Sequence, residues 1–143
     1  MFSILNRFRK DGKQCFIFCP TIDKCEKTYR ILRLFFNKGN YVHSMRKQRM
    51  EVIKNFREKK YQYLVTTSVL ERGVTVKDLQ VIVFQADHSV YDRYSLVQIA
   101  GRVGRKKDAP EGEVVFIAKD IDGEVIAAKN DIVAANKNLQ GLF

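Results

Sequence analysis

The chain has 143 residues, of which 45% are hydrophobic and 11% are aromatic, and its formal net charge is +10. This composition excludes general disorder, and the length predicts one domain with a buried core. No apolar run is long enough to span a bilayer, and the charged stretch Met1–Lys13 lacks the apolar centre of a signal peptide. We therefore expect a cytoplasmic chain without membrane insertion. Its excess of Lys and Arg modestly favours nucleic acid as a partner over an anionic membrane surface.

Strand and helix patterns alternate along the chain. Short apolar runs are followed by stretches with apolar residues at three- and four-residue steps, which are typical of amphipathic helices. The predicted elements are, in order, strand Gln14–Cys19, helix Thr21–Asn37 (N-cap Thr21, ended by Gly39-Asn40), strand Tyr41–His43, a basic helix within Arg46–Lys60, strands Gln62–Thr66 and Gln80–Gln85, helix Asp92–Val103, strand Glu113–Ala118 and helix Gly123–Leu139. This alternation predicts an α/β fold of three layers, with a mostly parallel sheet and helices on both faces.

The three cysteines, Cys15, Cys19 and Cys25, do not indicate a metal site or a disulfide framework. Their number is odd, no CxxC pair occurs, and the two histidines, His43 and His88, lie far along the chain. Since Cys15 and Cys19 fall within an apolar strand, we expect small core residues.

The strongest functional pattern is Gln98–Arg105 (QIAGRVGR), in which two Gly-Arg pairs lie three residues apart near a predicted helix end. Each glycine costs about 1 kcal/mol in a helix relative to Ala, so the pair indicates a turn or a close backbone approach. Arg102 and Arg105 would project from one side, and their planar guanidinium groups suit phosphate oxygens. The alternative is a basic helix end that complements the helix dipole, which does not explain the glycines.

A weaker pattern is Thr66–Thr75 (TTSVLERGVT), in which hydroxyl residues follow a strand directly. Hydroxyls and exposed backbone N–H groups at a strand end can hold phosphate. Thr and Ser also cap helices routinely, so this pattern alone decides nothing.

These two segments resemble motifs of superfamily 2 helicases. Gln98–Arg105 resembles motif VI (QxxGRxGR), Thr66–Thr75 resembles motif V, and Phe16–Thr21 (FIFCPT) is similar to motif IV. Arg49, seven residues before Phe56, matches an arginine of the helix between motifs IV and V. The order and spacing agree from Cys15 to Ala118, and the chain is identified as a second RecA-like domain, most similar to late-competence DNA-transport ATPases, with primosomal helicases as near relatives.

The resemblance implies roles for individual residues around a nucleotide. Arg105 corresponds to the arginine finger, and Arg102 to a second arginine that faces the phosphates. Gln98 corresponds to a residue near the nucleotide and the domain interface. Gly73 and Thr75 fall where motif V approaches the ribose.

The resemblance also implies contacts to a nucleic-acid backbone. Thr67 corresponds to a motif V threonine that contacts phosphate, and its neighbour Thr66 joins it in the expected contact set. Thr21 corresponds to a motif IV hydroxyl, and Arg49 to a backbone-contacting arginine. Such contacts predict binding of single-stranded DNA with little sequence specificity.

The sequence contains no GxxxxGK[ST] phosphate loop and no DExx box, which this superfamily places in its first RecA-like domain. We therefore expect ATP and Mg²⁺ to be bound mainly by that domain, and this chain alone to be inactive. Residues 14–143 would form the second domain, and residues 1–13 the connection from the first. The expected partners are single-stranded DNA, the first RecA-like domain of the same protein and other competence proteins.

Two alternatives to half of a motor stay open. One is a stand-alone RecA-like module that binds DNA or a partner and hydrolyses nothing. The other is a structural scaffold in a competence complex. The salt dependence of binding would separate them, because phosphate contacts weaken steeply as salt rises.

Overall fold

The computed structural model describes residues 1–67, 79–101, 113–119 and 123–140, with side chains up to residue 133 in the last helix. In chain order its elements are α1 (Phe2–Lys10), β1 (Cys15–Phe18), α2 (Ile22–Leu32), β2 (Gly39–Val42), α3 (Arg49–Arg57), β3 (Tyr63–Thr66), β4 (Gln80–Phe84), α4 (Arg93–Ala100), β5 (Val114–Ile117) and α5 (Gly123–Gln140). Every element predicted from the sequence is present, although the observed helices are shorter than predicted, except α5.

The five strands form one parallel sheet in the order β2-β3-β1-β4-β5. The central strand β1 pairs with β3 on one side and β4 on the other, with Phe18 opposite Thr66 and Val83. Because all strands are parallel, their last residues lie at the same end of the sheet. We call this end the carboxyl side, and the opposite end, where the strands begin, the amino side.

The core is divided between the two faces of the sheet, since successive strand residues point in opposite directions. Phe16, Phe18 and Leu64 join the apolar residues of α3, α4 and α5 on one face. Ile17 and Val65 join α1 and α2 on the other. The three-layer α/β architecture predicted from the sequence is therefore confirmed.

Helix α1 lies within residues 1–13, which the sequence predicts to be the connection from another domain. Its Leu5 and Phe8 are buried in the α1–α2 layer, while the polar and charged side chains face outward. Apolar residues three positions apart make this a short amphipathic helix. The position of α1 is set by the burial of Leu5 and Phe8 beside α2, which its basic composition does not predict.

The second helix ends earlier than its periodicity predicts. It stops at Leu32, and tight turns carry the chain to Phe36, which is still buried. The prediction that Gly39 ends the helix is therefore wrong. Gly39 is instead the first residue of β2. A Cβ atom at this position would lie 2.0 to 2.4 Å from atoms of the Tyr63 ring. Gly39 is needed for this close approach.

Two other local predictions are confirmed. The Thr21 side chain caps α2 and accepts a hydrogen bond from the Lys24 backbone N–H at 3.2 Å. In α3, Val52, Ile53 and Phe56 are buried, so the charged side chains lie on the outer face. Among the described residues, no helix combines the length and apolar character needed to cross a bilayer.

Candidate nucleic-acid and nucleotide interface

The ends of β1 and β3 lie side by side in the sheet. Phe18 and Thr66 are register partners, and the Cys19 backbone N–H donates to the Thr66 carbonyl at 2.8 Å. Thr21 and Thr67 follow these strand ends by three residues and one residue. Parallel sheets bind ligands on this side, because loops and helix N-termini gather there. The structure thus places Thr21 and Thr67 on the carboxyl side of the sheet, after neighbouring strands.

Thr21 has the geometry of a hydroxyl that serves a helix and a ligand together. Its backbone is extended (φ −138°, ψ 161°), and its Oγ1 accepts from the Lys24 N–H. A hydroxyl that accepts one hydrogen bond still has its O–H to donate. The half-buried Thr21 lies at the N-terminus of α2, where the unpaired N–H groups and the helix dipole favour an anion.

Thr66 and Thr67 occupy different environments at the end of β3. The Thr66 side chain is completely buried, and its hydroxyl donates to the Thr67 carbonyl at 3.2 Å. That internal bond stabilises the strand end. Thr67 is the first residue past the strand and retains 9% exposure. Of the two, Thr67 is therefore better placed to reach a ligand.

Arg49 begins α3 and is partly exposed. Helix α3 follows β2, whose end also lies on the carboxyl side. The helix is anchored by Phe56, whose ring stacks on that of Phe16 in β1 with the centroids 5.1 Å apart. Arg49 thus projects from a helix held firmly against the sheet.

The loop between β2 and α3 is stabilised by two residues, His43 and Arg46, for which the sequence predicts no role. His43 is buried, and its Nδ1 accepts from the Met45 N–H at 3.2 Å. Its Nε2 must then carry the proton, which it donates to Glu26 Oε1 at 3.0 Å. This bond ties the loop that leads to Arg49 to helix α2.

Arg46 is the second of these residues. Its guanidinium donates to Asn40 Oδ1 at 2.7 Å and to the Tyr41 carbonyl, and it lies 4.1 Å from the centre of the Tyr41 ring. Because the side chain is committed to these contacts, Arg46 stabilises the loop. Arg46 belongs to one basic stretch, residues 46–60, and nothing in the sequence distinguishes it from the other Lys and Arg residues there.

Gln98 lies on the exposed side of α4, whose Leu96 and Ile99 are buried against the sheet. The start of α4 is well defined by a capping box between Asp92 and Ser95. Gln98 lies in the helix layer formed with α3 and α5. The remaining predicted nucleotide residues, Gly73, Thr75, Arg102 and Arg105, lie outside the described residues.

An exposed ion pair and a backbone hydrogen bond link α4 to α5. Arg93 donates from Nε and Nη2 to Asp131 at 2.9 and 2.8 Å, and its backbone N–H donates to Glu124. The hydrogen bonds and charge of Arg93 lower the pKa of Asp131. The two helices are thus joined near the start of α4, the helix that contains Gln98.

All three cysteines are free and buried, which confirms them as core residues. Burial raises the pKa of Cys19 to about 11 and that of Cys25 to about 12, and it also raises the pKa of Cys15. Within the described ranges, no group of three or more Cys, His, Asp or Glu side chains is placed to hold a metal ion.

Comparisons with known proteins agree with this architecture. The model of the helicase conserved C-terminal domain matches residues 1–107, so the chain belongs to this family. It is 34% identical to the competence protein ComFA of Streptococcus pneumoniae (strain ATCC BAA-255 / R6), over 94% of this chain and 32% of that protein. It is also 34% identical to ComFA of Bacillus subtilis (strain 168), over 90% of this chain and 28% of that protein. The chain therefore spans about a third of the length of these relatives.

Among solved structures, the fold is similar to domain 2 of the DEAD-box helicase Mss116p bound to an RNA duplex. The TM-score is 0.67, with 23% identity over 82% of this chain and 48% of that one. At this identity the likeness establishes a shared RecA-like fold. It also confirms the fold class expected from the helicase motifs.

Proposed function

We propose that this chain is the second RecA-like domain of an ATP-dependent DNA translocase that moves single-stranded DNA during competence. The observation that best supports the proposal is the placement of Thr21 and Thr67 at neighbouring strand ends, with Arg49 on a helix that follows a third. The similarity to ComFA over 94% of the chain supports the competence role.

The nucleic-acid contacts would be made to the backbone. Thr21 would donate its hydroxyl to a phosphate at the N-terminus of α2, and Thr67 and Arg49 would contact neighbouring phosphates. Thr66 would hold Thr67 in position through the hydrogen bond from its hydroxyl to the Thr67 carbonyl. Contacts of this kind position a strand without identifying its bases, so sequence specificity should be low.

The nucleotide contacts would complete a site shared with another domain. ATP and Mg²⁺ would be bound mainly by the first RecA-like domain, where ATP supplies the phosphoryl group that is transferred to water. Arg102 and Arg105 would contact the phosphates when the cleft closes and stabilise the charge that develops during transfer. Gln98, Gly73 and Thr75 would border the same cleft. Repeated closure would couple hydrolysis to movement along DNA.

The first experiment concerns the size of the native polypeptide. An immunoblot against this domain should detect a band at about three times its length, since the domain covers 32% of a ComFA relative. A band at the size of the present chain would contradict a motor with both domains in one polypeptide.

The arginine finger is tested in a polypeptide that carries both domains. Arg105→Ala should lower DNA-stimulated ATP hydrolysis by about a thousandfold or more while DNA affinity stays nearly unchanged. Lys129→Ala, an exposed cation of α5, is the control and should leave both unchanged. Normal hydrolysis in Arg105→Ala would refute the catalytic role and would favour a DNA-binding module without turnover.

The backbone contact is tested with Thr21→Asp. Asp caps helices as well as Thr does, so α2 and the fold should be retained, but the carboxylate repels phosphate. We expect affinity for oligo-dT to fall by about tenfold or more, and Thr21→Ser to bind normally. Asn130→Asp introduces the same charge on exposed α5 as a control. If Thr21→Asp and Asn130→Asp bind alike, Thr21 does not contact the nucleic acid.

A further inference from the structure

An apolar surface lies at the junction of α1 and the end of α2. Its most exposed members are Leu34 and Phe35, at 74% and 66%, followed by Ile31 at 52% and Phe2 at 45%. Ile31 lies in the last turn of α2, and Leu34 and Phe35 lie in the tight turns that follow the helix. The Phe2 and Phe35 rings are in contact, and contiguous exposed apolar groups mark interaction sites. We call this the α1–α2 patch.

The patch contains a groove suited to an apolar side chain. The groove has a volume of about 370 Å³ and is lined by Phe2, Ser3, Asn6, Phe35 and Phe36. The Phe2 ring lies 5.1 Å from that of Phe35 and 6.4 Å from that of Phe36, centre to centre. Aromatic walls at these separations are held by one another and form a shaped surface.

The patch lies on the amino side of the sheet, away from the candidate DNA contacts. The Phe36 carbonyl accepts from the Tyr63 hydroxyl at 2.8 Å, and the Lys38 carbonyl accepts from the Gln62 N–H at 2.7 Å. Tyr63 is the first residue of β3. Thr21 and Thr67, by contrast, follow the carboxyl ends of the strands. A partner on the patch would therefore leave the DNA surface open.

The charged residues of the two segments that carry the patch residues Phe2, Ile31, Leu34 and Phe35 are all positive. Neither Met1–Lys10 nor Lys27–Met50 contains Asp or Glu. The Arg9 guanidinium lies 5.6 Å from the centre of the Phe36 ring, and the exposed Arg30 and Arg33 precede Leu34 by four residues and one residue. An apolar centre with an arginine rim matches the composition of protein interfaces, and it is complementary to an acidic partner.

We propose that the α1–α2 patch binds an acidic amphipathic segment of a protein partner, which inserts an aromatic or aliphatic side chain between Phe2 and Phe35. A second copy of this chain would bring the same cations against the rim. Nucleic acid matches the charge and could stack on the Phe2 and Phe35 rings, but the aliphatic Ile31 and Leu34 offer no ring. An acidic peptide satisfies both the charge and the apolar area.

The proposal is tested on the 143-residue chain with a fluorescein-labelled helical peptide of about 16 residues, with Leu and Phe at i, i+3, i+4 and i+7 and Glu elsewhere. Anisotropy titrations measure its affinity. A scrambled peptide of the same composition and a peptide with every Glu replaced by Lys are the matched ligands. We expect each to bind at least about tenfold more weakly.

Two variants locate the binding site. Leu34→Ser/Phe35→Ser alters only exposed side chains and should weaken binding of the acidic peptide by about tenfold or more. Arg30→Glu/Arg33→Glu should reverse the preference, so that the Lys peptide binds more tightly than the Glu peptide. Ile126→Ser, at an exposed apolar residue of α5, is the control and should bind like the parent.

Several outcomes would overturn the proposal. No binding of the acidic peptide up to about 1 mM, equal binding of the scrambled peptide, or unchanged binding in Leu34→Ser/Phe35→Ser would each do so. If oligo-dT displaces the labelled peptide from the parent chain but not from Leu34→Ser/Phe35→Ser, the patch is assigned to nucleic acid. Concentration-dependent dimerisation lost in that variant would assign it to a second copy.

Discussion

The contact between Gly39 and Tyr63 predicts that a single methyl group destabilises the fold. In Gly39→Ala the added Cβ would lie 2.0 Å from Tyr63 Cζ and 2.2 and 2.4 Å from the two Cε atoms. Ordinary van der Waals contact begins near 3.4 Å. The Tyr63 ring is completely buried and cannot swing into solvent, so the ring or strand β2 must move.

The magnitude has two contributions. Inserting a methyl group into a packed core costs about 1–3 kcal/mol. Displacing the ring also breaks the 2.8 Å hydrogen bond from the Tyr63 hydroxyl to the buried Phe36 carbonyl, which costs about 1 kcal/mol. We expect Gly39→Ala to lower the free energy of unfolding by about 3 kcal/mol, a large part of the about 5–15 kcal/mol typical of a domain.

Urea unfolding followed by circular dichroism at 222 nm measures this change. Gly123→Ala is the matched control, because no atom lies within 4 Å of its Cβ position. Tyr63→Phe measures the hydrogen bond alone and should cost about 1 kcal/mol. In Tyr63→Leu the clashing ring atoms are absent, so Gly39→Ala should cost much less there than in the parent, with a coupling of about 1–3 kcal/mol.

Two results would refute the close-packing explanation. One is a loss of less than about 1 kcal/mol in Gly39→Ala, which is below the overpacking range. The other is an equal loss from Gly39→Ala in the parent and in the Tyr63→Leu background. Either would mean that the residue at this position does not need to be small.

Three further predictions concern buried thiols, an ion pair and a buried amide. Because burial raises their pKa values, the three thiols of the native chain should hardly react with Ellman's reagent at pH 8, and all should react in guanidinium chloride. Since Arg93 lowers the pKa of folded Asp131, Asp131→Asn should lower the melting temperature at pH 7. This difference should shrink as pH falls through the folded pKa. Gln14→Met leaves the Phe56 and Tyr61 carbonyls without their 2.7 and 2.9 Å donor, and should cost about 1–3 kcal/mol in urea unfolding.

Each of these predictions has a contrary outcome. Fast labelling of the native chain would mean that the thiols open to solvent readily. A melting difference for Asp131→Asn that does not shrink while the Asp131 carboxyl is protonated by acid would exclude the carboxylate as its source. Unchanged stability in Gln14→Met would mean that the two carbonyls find other donors.

Much of the candidate site could be predicted from local sequence. The hydroxyl of Thr21 follows a strand and precedes a helical pattern, and the structure shows it as the cap of α2. The apolar stripe of α3 identifies the face that packs on the sheet. Such signals depend on residues within one or two turns of each other. They survive in the fold because packing reinforces them.

Other features depend on residues far apart in sequence and could not be predicted this way. The end of α2 depends on where Phe36 and Gly39 must sit against Tyr63, which lies more than twenty residues later. The bond between His43 and Glu26 joins a loop to a helix across seventeen positions. Periodicity contains no information about such partners.

The sequence by itself determined the alternation of strands and helices, the two-sided burial of the sheet and the motifs that follow its strands. Only the tertiary structure decided the strand order β2-β3-β1-β4-β5 and with it the proximity of Thr21 and Thr67. It also decided that α1 packs beside α2 and leaves Phe2 and Phe35 exposed together. The physical reason is that periodicity reports which face of an element is apolar, whereas the neighbour that covers this face is selected by the packing of the whole chain.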